Sequence, residues 1–356
     1  MNGSHGDFPL VSVILPAYNH EKYVQVAIQS VVNQTYQNIE FIVVDDGSKD
    51  LTWQKIQEMK PACEERFTNV IFQTKENEGT CATLNRLISL SNGEYIYLIA
   101  SDDIAKPQAI EKEVSFLIDN PDYALVVGDS EFIDDNGKVC YWDEEKNIVY
   151  DKSQARFTSF CNYLKSCRDF KFTSREFGSY RTLYLGNYIP NGYLIRKSVF
   201  EKTGLFTKEA PLEDYYIMLQ IAKYAKMKFL DEILFSYRWH SGNSIKNRVV
   251  AVANDMKTRQ YEEKIISDIE ALENRGVLDD VVCFLRCNVQ MKELKHSNSD
   301  LQDEIYLIKH KNMVVWNYYC YKFLSKILLG RVRKYCEFQA KRYHHKVLKL
   351  RKVLEK

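Results

Sequence analysis

Two continuous apolar runs, separated by a segment with helical spacing, dominate the first fifty residues. Leu10–Leu15 and Ile39–Val44 are rich in β-branched residues, whereas the segment from about Glu21 to Asn33 has apolar residues at the period of a helix. Strands that read as unbroken apolar runs are buried on both faces, which is typical of parallel sheets. The sequence therefore predicts an α/β fold, a mostly parallel sheet with helices on both faces.

Short polar segments follow each of the predicted strands. Pro16–Asn19 come after the first strand and Asp45–Asp46 after the second. A third apolar run, Glu94–Ala100, leads into Ser101–Asp103. Because ligands bind at the carboxyl ends of the strands in such sheets, these segments are expected to form a binding site at one edge.

Length and composition favour one large domain with an appendage. The chain has 356 residues, of which 45% are hydrophobic and 27% charged, as in ordinary globular proteins. Nine cysteines show no paired metal or disulfide spacing, and the N-terminus does not resemble a secretory signal. These features predict a cytoplasmic protein with reduced thiols.

The C-terminal region differs from the rest in pattern and in charge. After about Val249 only helical spacing is found, and residues 309–356 contain 14 Lys and Arg but only two Glu, against a net charge of +1 for the whole chain. Aromatic residues beside these cations favour a helix lying on an anionic membrane surface, so the protein is expected to be cytoplasmic or peripheral on the inner face of the cell membrane. Packing on the catalytic body or formation of a homo-oligomer is the alternative. No motif supports nucleic-acid binding.

Six short phrases, in this order and spacing, resemble a family 2 glycosyltransferase with the GT-A fold. They are PAYN, VVDDGSKD, ENEG, ASDD, LEDYY and YRWHSGNS. The resemblance implies a Rossmann-like GT-A catalytic domain over residues 9–248, with 134–195 as a variable acceptor-side region. Residues 1–8 are then a disordered or cloning-derived N-terminus, and 249–356 a helical C-terminal region with a basic amphipathic tail.

The resemblance implies that the polar strand ends bind a nucleotide. Tyr18 is placed to stack on the base, and Asp46, with Asp45, to accept hydrogen bonds from the base or ribose. Capping of a helix by the Asp-Asp-Gly-Ser turn is the alternative interpretation. The predicted nucleotide-binding residues are Pro16, Ala17, Tyr18, Asn19, Asp45, Asp46, Asn77, Gly79, Ser101 and Asp102.

A divalent cation, Mn²⁺ or Mg²⁺, is the cofactor that the resemblance implies. Such cations prefer oxygen ligands and neutralise a departing diphosphate. Asp102, Asp103 and His240 are the predicted metal ligands, and a solvated turn is the alternative for the two aspartates. This chain departs from the family's usual Asp-x-Asp motif, because Ala100 stands at the position of its first carboxylate.

The resemblance also identifies the Glu213-Asp214 pair, with Asp214 as the general base. A general base must be a carboxylate near the acceptor hydroxyl, partly desolvated so that it can take a proton. Capping of the following helix by the same residues is compatible with that role. Glu213 is expected to support the base or contact the acceptor, together with the loop residues Asn191 and Gly192. Two cations near His240 are expected to approach the diphosphate, namely Arg238 and Lys246.

These expectations combine into an inverting, metal-dependent glycosyltransferase. It is expected to transfer a sugar from a UDP-sugar to a saccharide. The expected acceptors are lipid-linked or polymeric saccharides, such as those of bacterial capsule or O-antigen synthesis. A catalytically inactive sugar-nucleotide-binding scaffold is the alternative that Ala100 raises. A nucleotidylyltransferase is disfavoured, because the loop after the first strand, PAYNHEKY, has no glycine with which to wrap a triphosphate.

Overall fold

The computed structural model describes residues 8–167, 171–184, 186–243, 246 and 248–266. The chain divides into two compact units, Met1–Glu263 and Lys264–Lys356. The predicted basic tail, all but one residue of the predicted N-terminal segment 1–8, and the helices expected after Ile266 lie outside the described residues. Among the described helices, none is long and apolar enough to cross a membrane.

Ten strands and ten α-helices alternate along the described chain. The strands are β1 (Val11–Ala17), β2 (Ile39–Asp45), β3 (Asn69–Thr74), β4 (Tyr95–Leu98), β5 (Ile104–Ala105), β6 (Tyr123–Ile133), β7 (Val139–Trp142), β8 (Ile148–Val149), β9 (Tyr193–Arg196) and β10 (Lys226–Arg238). The helices are α1 (Val24–Val32), α2 (Thr52–Glu58), α3 (Lys60–Arg66), α4 (Thr80–Leu90), α5 (Ala109–Asp119), α6 (Phe160–Cys167), α7 (Tyr180–Tyr184), α8 (Phe200–Thr203), α9 (Glu213–Ala222) and α10 (Arg248–Ile266).

The central sheet is mostly parallel, as the sequence predicts. Its strand order is β3-β2-β1-β4-β9-β6-β10-β5, and the first four strands run parallel to one another. β9 lies antiparallel between β4 and β6, β10 pairs parallel with β6, and the short β5 pairs antiparallel with β10. Every residue of β2 is buried, which explains its mainly apolar sequence; the one charged residue inside the strand, Glu40, accepts from the Ser12 hydroxyl of β1 at 2.5 Å.

The register of the sheet aligns the polar strand ends. Ala17 of β1 pairs with Asp45 of β2, and β4 lies on the other side of β1. The residues that follow these three strands therefore emerge side by side. Helix α1 begins at Val24, later than predicted, because the amides of Tyr23 and Val24 first donate to the His20 carbonyl in a turn. That turn places His20 beside the strand ends.

The segment between β6 and β9 has an aromatic core of its own. Phe132, Cys140, Trp142 and Phe157 form a buried cluster, and the rings of Phe132 and Trp142 stack 3.8 Å apart. Aromatic pairs of this kind contribute beyond the area that they bury. The irregular, aromatic-rich sequence of this segment is thus explained by a small cluster beside the sheet.

Candidate active site

The Asp45-Asp46 pair is held by a dense set of hydrogen bonds. Asp45 accepts from the hydroxyls of Ser48 and Thr74, and Asp46 accepts from the Lys75 ammonium. The backbone amides of Glu78 and Gly79 also donate to Asp46, each at a distance of 3.0 Å. Burial alone would raise the pKa of Asp46, but these hydrogen bonds outweigh burial and lower that pKa below its usual value. Asp46 is therefore an ionised anchor for the loop before α4.

The remaining predicted nucleotide-binding residues line the same edge. Tyr18, directly after β1, is 43% exposed and thus accessible to a ligand. Asn19 adopts a left-handed backbone (φ 53°), and its side-chain oxygen accepts from the Lys49 amide at 2.8 Å, which joins the loops after β1 and β2. Pro16 and Ala17 are the last residues of β1. Asn77 is exposed in the loop that Asp46 anchors.

Gly79 and Gly47 are glycines for a structural reason. Both have positive φ, 90° for Gly79 and 72° for Gly47. A Cβ on Gly47 would lie 2.9 Å from the Asn77 amide nitrogen and 2.9 Å from the Lys75 carbonyl oxygen. The loop before α4 therefore packs directly on the turn after β2, and Gly47 permits that contact, whereas Gly79 is required by its backbone conformation alone.

Asp102 lies between two histidines. Oδ2 of Asp102 is 3.0 Å from Nε2 of His240 and 3.9 Å from Nε2 of His20. One ligand atom from each of these three residues lies within 4.8 Å of the others. Nδ1 of His20 is 2.7 Å from the Ser101 hydroxyl, which orients the ring so that Nε2 faces Asp102. The three side chains form a compact group of one oxygen and two nitrogen donors.

Electrostatics match this arrangement. Burial lowers the pKa of His20, although the Asp102 charge acts in the opposite direction, so the neutral imidazole is favoured. Burial would raise the pKa of Asp102, but the hydrogen bond from His240 and the nearby His20 lower it. A carboxylate and neutral imidazoles are the protonation states in which these groups bind a divalent cation. The donor set therefore fits the metal that the sequence analysis expects.

Asp103 and Arg238 bind partners other than the side chains of His20, Asp102 and His240. Asp103 is 1% exposed and accepts from the Arg238 backbone amide at 2.9 Å and from the Asn191 side chain. Burial and the neighbouring Asp102 raise the pKa of Asp103 well above its usual value. The guanidinium of Arg238 donates to the backbone carbonyls of Asp102 (2.7 Å) and Asp134 (3.0 Å). Lys246 lies with Nζ 4.3 Å from the Trp239 ring centre.

The Glu213-Asp214 pair opens α9. Asp214 accepts from its neighbour's amide, Tyr215 N (2.6 Å), and from Asn187 Nδ2 (2.9 Å). Burial raises the pKa of Asp214 despite these bonds. Burial, and then the Asp214 charge, raise the pKa of Glu213 to about 7. Both carboxyls are thus more basic than usual, which is the property that a proton acceptor working near neutral pH requires.

The loop between α7 and β9 connects the Glu213-Asp214 pair with the acidic residues beside the histidines. Asn187 donates to Asp214, and Asn191 makes a hydrogen bond with Asp103, next to the histidine-flanked Asp102. Gly192 has φ 74°, and a Cβ there would lie 2.1 Å from the Phe235 ring, so the close contact with β10 requires glycine. The charge of Asp214 also acts on the buried Tyr237 phenol, as do those of Asp102 and Asp103.

Two residues of this site were not anticipated. His20 follows the PAYN phrase, and its one sequence signal was an imidazole directly after a predicted strand end. Asn187 carried no signal, because an asparagine in an irregular segment is common in any loop. Both become part of the site through contacts with residues far along the chain, Asp102 for His20 and Asp214 for Asn187.

Comparisons with known proteins agree with this architecture. A family model described as "Glycosyl transferase family 2" matches residues 12–202. An uncharacterized glycosyltransferase of Haemophilus influenzae is 28% identical over 76% of this chain and 80% of its own length. An uncharacterized glycosyltransferase of Rickettsia felis is 31% identical over 67% of this chain, which spans about a third (35%) of that longer protein.

Solved structures with similar folds are more distant in sequence. The mannosyltransferase PcManGT from Pyrobaculum calidifontis, in complex with GDP-Man and Mn²⁺, superposes with a TM-score of 0.53 at 14% identity, over 93% of this chain and 84% of that one. S. aureus TarS 1–349 in complex with UDP superposes with a TM-score of 0.50 at 15% identity, over 94% of this chain and 88% of that one. At these identities the similarity concerns the fold.

Proposed function

Since this chain belongs to glycosyl transferase family 2 and has the GT-A fold, we propose that it is an inverting, metal-dependent transferase that moves a sugar from a UDP-sugar to a hydroxyl of a saccharide. The observation that carries the proposal is the single loop between α7 and β9. Its Asn187 contacts the basic carboxylate Asp214, and its Asn191 contacts Asp103, the neighbour of the candidate metal ligand Asp102. These contacts support the proposal that the base and the diphosphate site are joined by one loop.

Asp214 is the proposed general base. The acceptor oxygen attacks the anomeric carbon as the bond from that carbon to the diphosphate oxygen breaks, and the hydroxyl proton passes to the Asp214 carboxylate. The leaving diphosphate retains the bonding electron pair, and the configuration inverts because attack and departure occur on opposite faces. The raised pKa of Asp214 supports this role, because it brings the carboxylate closer in basicity to the working pH. The Asn187 amide orients the carboxylate.

Asp102, His240 and His20 are the proposed metal ligands. When bound, a divalent cation supplies positive charge for the diphosphate leaving group. Two imidazoles and one carboxylate favour Mn²⁺ over Mg²⁺, which prefers oxygen ligands and retains its water. Asp103, whose carboxylate is occupied by Arg238 and Asn191, would hold the Asp102 turn in place.

Metal affinity should depend on pH. Imidazole ligands bind a divalent cation only in their neutral form, so protons compete with the cation for the ring nitrogens. We therefore expect the affinity of the site for Mn²⁺ to fall as the pH falls.

The nucleotide is proposed to lie between Tyr18 and the Asp45-Asp46 turn. The exposed Tyr18 ring offers a stacking face, and Asp46 offers an ionised carboxylate, although its present partners are Lys75 and two amides. Pro16, Ala17, Asn19, Asn77, Gly79 and Ser101 complete the proposed pocket. A uridine nucleotide is proposed from the family resemblance, and the two similar structures contain UDP in one case and GDP-Man in the other.

The acceptor is proposed to be a saccharide, carried on a lipid and used in bacterial cell-surface polysaccharide synthesis. Asn191, Gly192 and Glu213 lie on the acceptor side, next to the proposed base. The basic residues 309–356 would hold the protein at the anionic inner face of the membrane, or join two copies, while the catalytic domain stays in the cytoplasm. This part of the proposal rests on sequence alone.

A binding panel tests the proposal. Thermal stability is measured with UDP, GDP, CMP and four UDP-sugars (glucose, galactose, N-acetylglucosamine and N-acetylgalactosamine), each with and without Mn²⁺. A ligand that binds the native state raises the melting temperature, so one UDP-sugar acting only with Mn²⁺ is the expected result. Binding without UDP release in any assay would instead support an inactive scaffold, the alternative that Ala100 raises. No response to any nucleotide would contradict the proposed donor site.

A further inference from the structure

Helix α10 contacts the start of α9. The Leu212 amide, directly before the Glu213-Asp214 pair, donates to the Thr258 hydroxyl at 3.0 Å. Thr258 is fully buried, so water does not replace this bond. No side chain caps α9 from its own N-cap position. Thr258 therefore fixes the backbone from which the proposed base projects.

The next residue of α10 contacts the other support of Asp214. The Arg259 guanidinium donates to the Tyr184 carbonyl at 2.6 Å, and the Tyr215 hydroxyl donates to the same oxygen at 3.1 Å. Tyr184 ends α7 and begins the loop whose Asn187 donates to Asp214. Two consecutive residues of one helix thus hold the two backbone segments that determine where the Asp214 carboxylate lies.

A buried ion pair fixes the far end of α9. Glu262, one turn after Thr258 and also fully buried, pairs with Lys223 at 2.7 Å. It also accepts from the Gln220 amide (2.7 Å) and from the Tyr180 hydroxyl of α7 (2.5 Å). Because every bond of this network crosses between helices, α7, α9 and α10 are held in one register.

We propose that α10 positions the general base, with Thr258 and Arg259 as positioning residues for Asp214. The family match ends at residue 202, so this part of the catalytic apparatus lies beyond it. The inference rests on the proposed role of Asp214. It predicts that loss of either contact reduces the chemical step while donor binding is retained, because the donor pocket at the ends of β1 and β2 does not include α10.

The test measures UDP release from the most active of the four UDP-sugars, with donor affinity by calorimetry. Thr258→Val removes the hydroxyl and keeps the shape, and we expect kcat to fall about tenfold, as misplacement of a catalytic group does, with donor affinity within about twofold. Thr258→Ser should restore kcat. Met256→Ala, on the same helix with Met256 54% exposed, is the matched control and should leave kcat unchanged.

Arg259→Lys gives a second, independent measurement. A lysine cannot reproduce the guanidinium geometry, so the loop that carries Asn187 is released. Asp214 then loses a hydrogen bond that favours its charged form, and the acidic limb of the kcat profile should move to higher pH. Glu213, Tyr193 and Tyr237 are the other titratable groups that act on or beside Asp214, and none of them is altered.

The outcomes are distinct. Unchanged kcat in Thr258→Val and an unmoved pH profile in Arg259→Lys would overturn the inference. So would parallel losses of kcat, donor affinity and melting temperature with no change in pH profile, since these indicate a structural role alone. If Thr258→Val does not fold, Arg259→Lys decides. Full turnover in Asp214→Asn would refute the proposed base itself, whereas an inactive Asp214→Asn with unaffected α10 variants would refute only this inference.

Discussion

The two acidic pairs of this chain, Asp45-Asp46 at the end of β2 and Glu213-Asp214 at the start of α9, consist of similar residues in opposite surroundings. Asp46 is paired with the Lys75 ammonium and two backbone amides, and these contacts lower its pKa. Asp214 has one amide side chain and one backbone amide, and burial raises its pKa.

The difference shows that burial and hydrogen-bond partners together, and not residue type, decide what a carboxylate can do. Burial favours the neutral form of both Asp46 and Asp214, but the hydrogen-bond donors outweigh burial at Asp46 and do not at Asp214. A carboxylate held ionised by a cation and by amides is suited to anchor a loop or a ligand. One that is buried with few donors is suited to take a proton. The donor side of this site therefore resembles a rigid binding surface, and the acceptor side a reactive one.

The largest expected effect is the loss of turnover in Asp214→Asn. The amide keeps the shape but cannot accept the acceptor's proton, so kcat should fall by about 10²–10⁴-fold. Binding of the UDP-sugar, measured by calorimetry, should stay within about twofold. Glu213→Gln is the matched control and should cost less, since the proposed function assigns the proton transfer to Asp214. A larger loss in Glu213→Gln would exchange the two roles.

His20→Ala should weaken Mn²⁺ binding by about 10–100-fold. The lost imidazole is one of three proposed protein ligands, and loss even of a group that only orients a ligand reduces metal affinity on this scale. Electron paramagnetic resonance of free Mn²⁺ measures the affinity without any assay of activity. Replacement of an exposed residue of α10, Met256→Ala, should have no effect. Equal affinity in His20→Ala would leave Asp102 and His240 as the ligands.

Asn187→Ala should move the acidic limb of the kcat profile to higher pH. Turnover requires ionised Asp214, so it falls as the pH falls through the raised pKa of that carboxyl. The Asn187 amide partly offsets burial, and its loss raises the pKa further. Profiles between about pH 5 and 9 measure the shift relative to the usual carboxyl range. Asn33→Ala, at an exposed asparagine, is the control; a limb that stays in place would contradict the assigned contact.

Lys75→Met tests the donor side and has the smallest expected effect. It should lower the free energy of unfolding by about 1 kcal/mol at neutral pH, since the ion pair is only partly shielded from water. Because the pKa of folded Asp46 is lowered, its contribution is present above the ordinary aspartate pKa and is lost as the pH falls through the folded value. Denaturant unfolding should therefore show a deficit that narrows below about pH 4.

Lys60→Met is the matched control for this last measurement. Lys60 pairs with Glu64 on an exposed helix surface, so its loss should change stability little at any pH. An equal deficit in both variants would mean that the Asp46 contact is no stronger than an ordinary surface pair. It would remove one side of the comparison between the two acidic pairs.

Local pattern predicted the sheet well. The apolar runs that became β1 and β2 could be recognised because strands buried on both faces are mainly apolar over several positions, with Ser12 and Glu40 as the two polar residues inside them. The ends of β2 and β4 then placed Asp45 and Asp102 at the same edge of the sheet, since parallel strands finish side by side. The family resemblance and the fold class that followed from these motifs are confirmed by the family match and by the similar structures.

Partners far apart in sequence decided the rest. Neither the His20–Asp102 contact nor the Thr258–Leu212 bond leaves a periodic or spaced signal, because each joins residues from separate elements. The sequence by itself determined which residue types stand at the ends of the strands and at the start of α9. The tertiary structure alone decided their protonation and orientation, because the pKa of a carboxyl depends on burial and on the donors that packing brings to it.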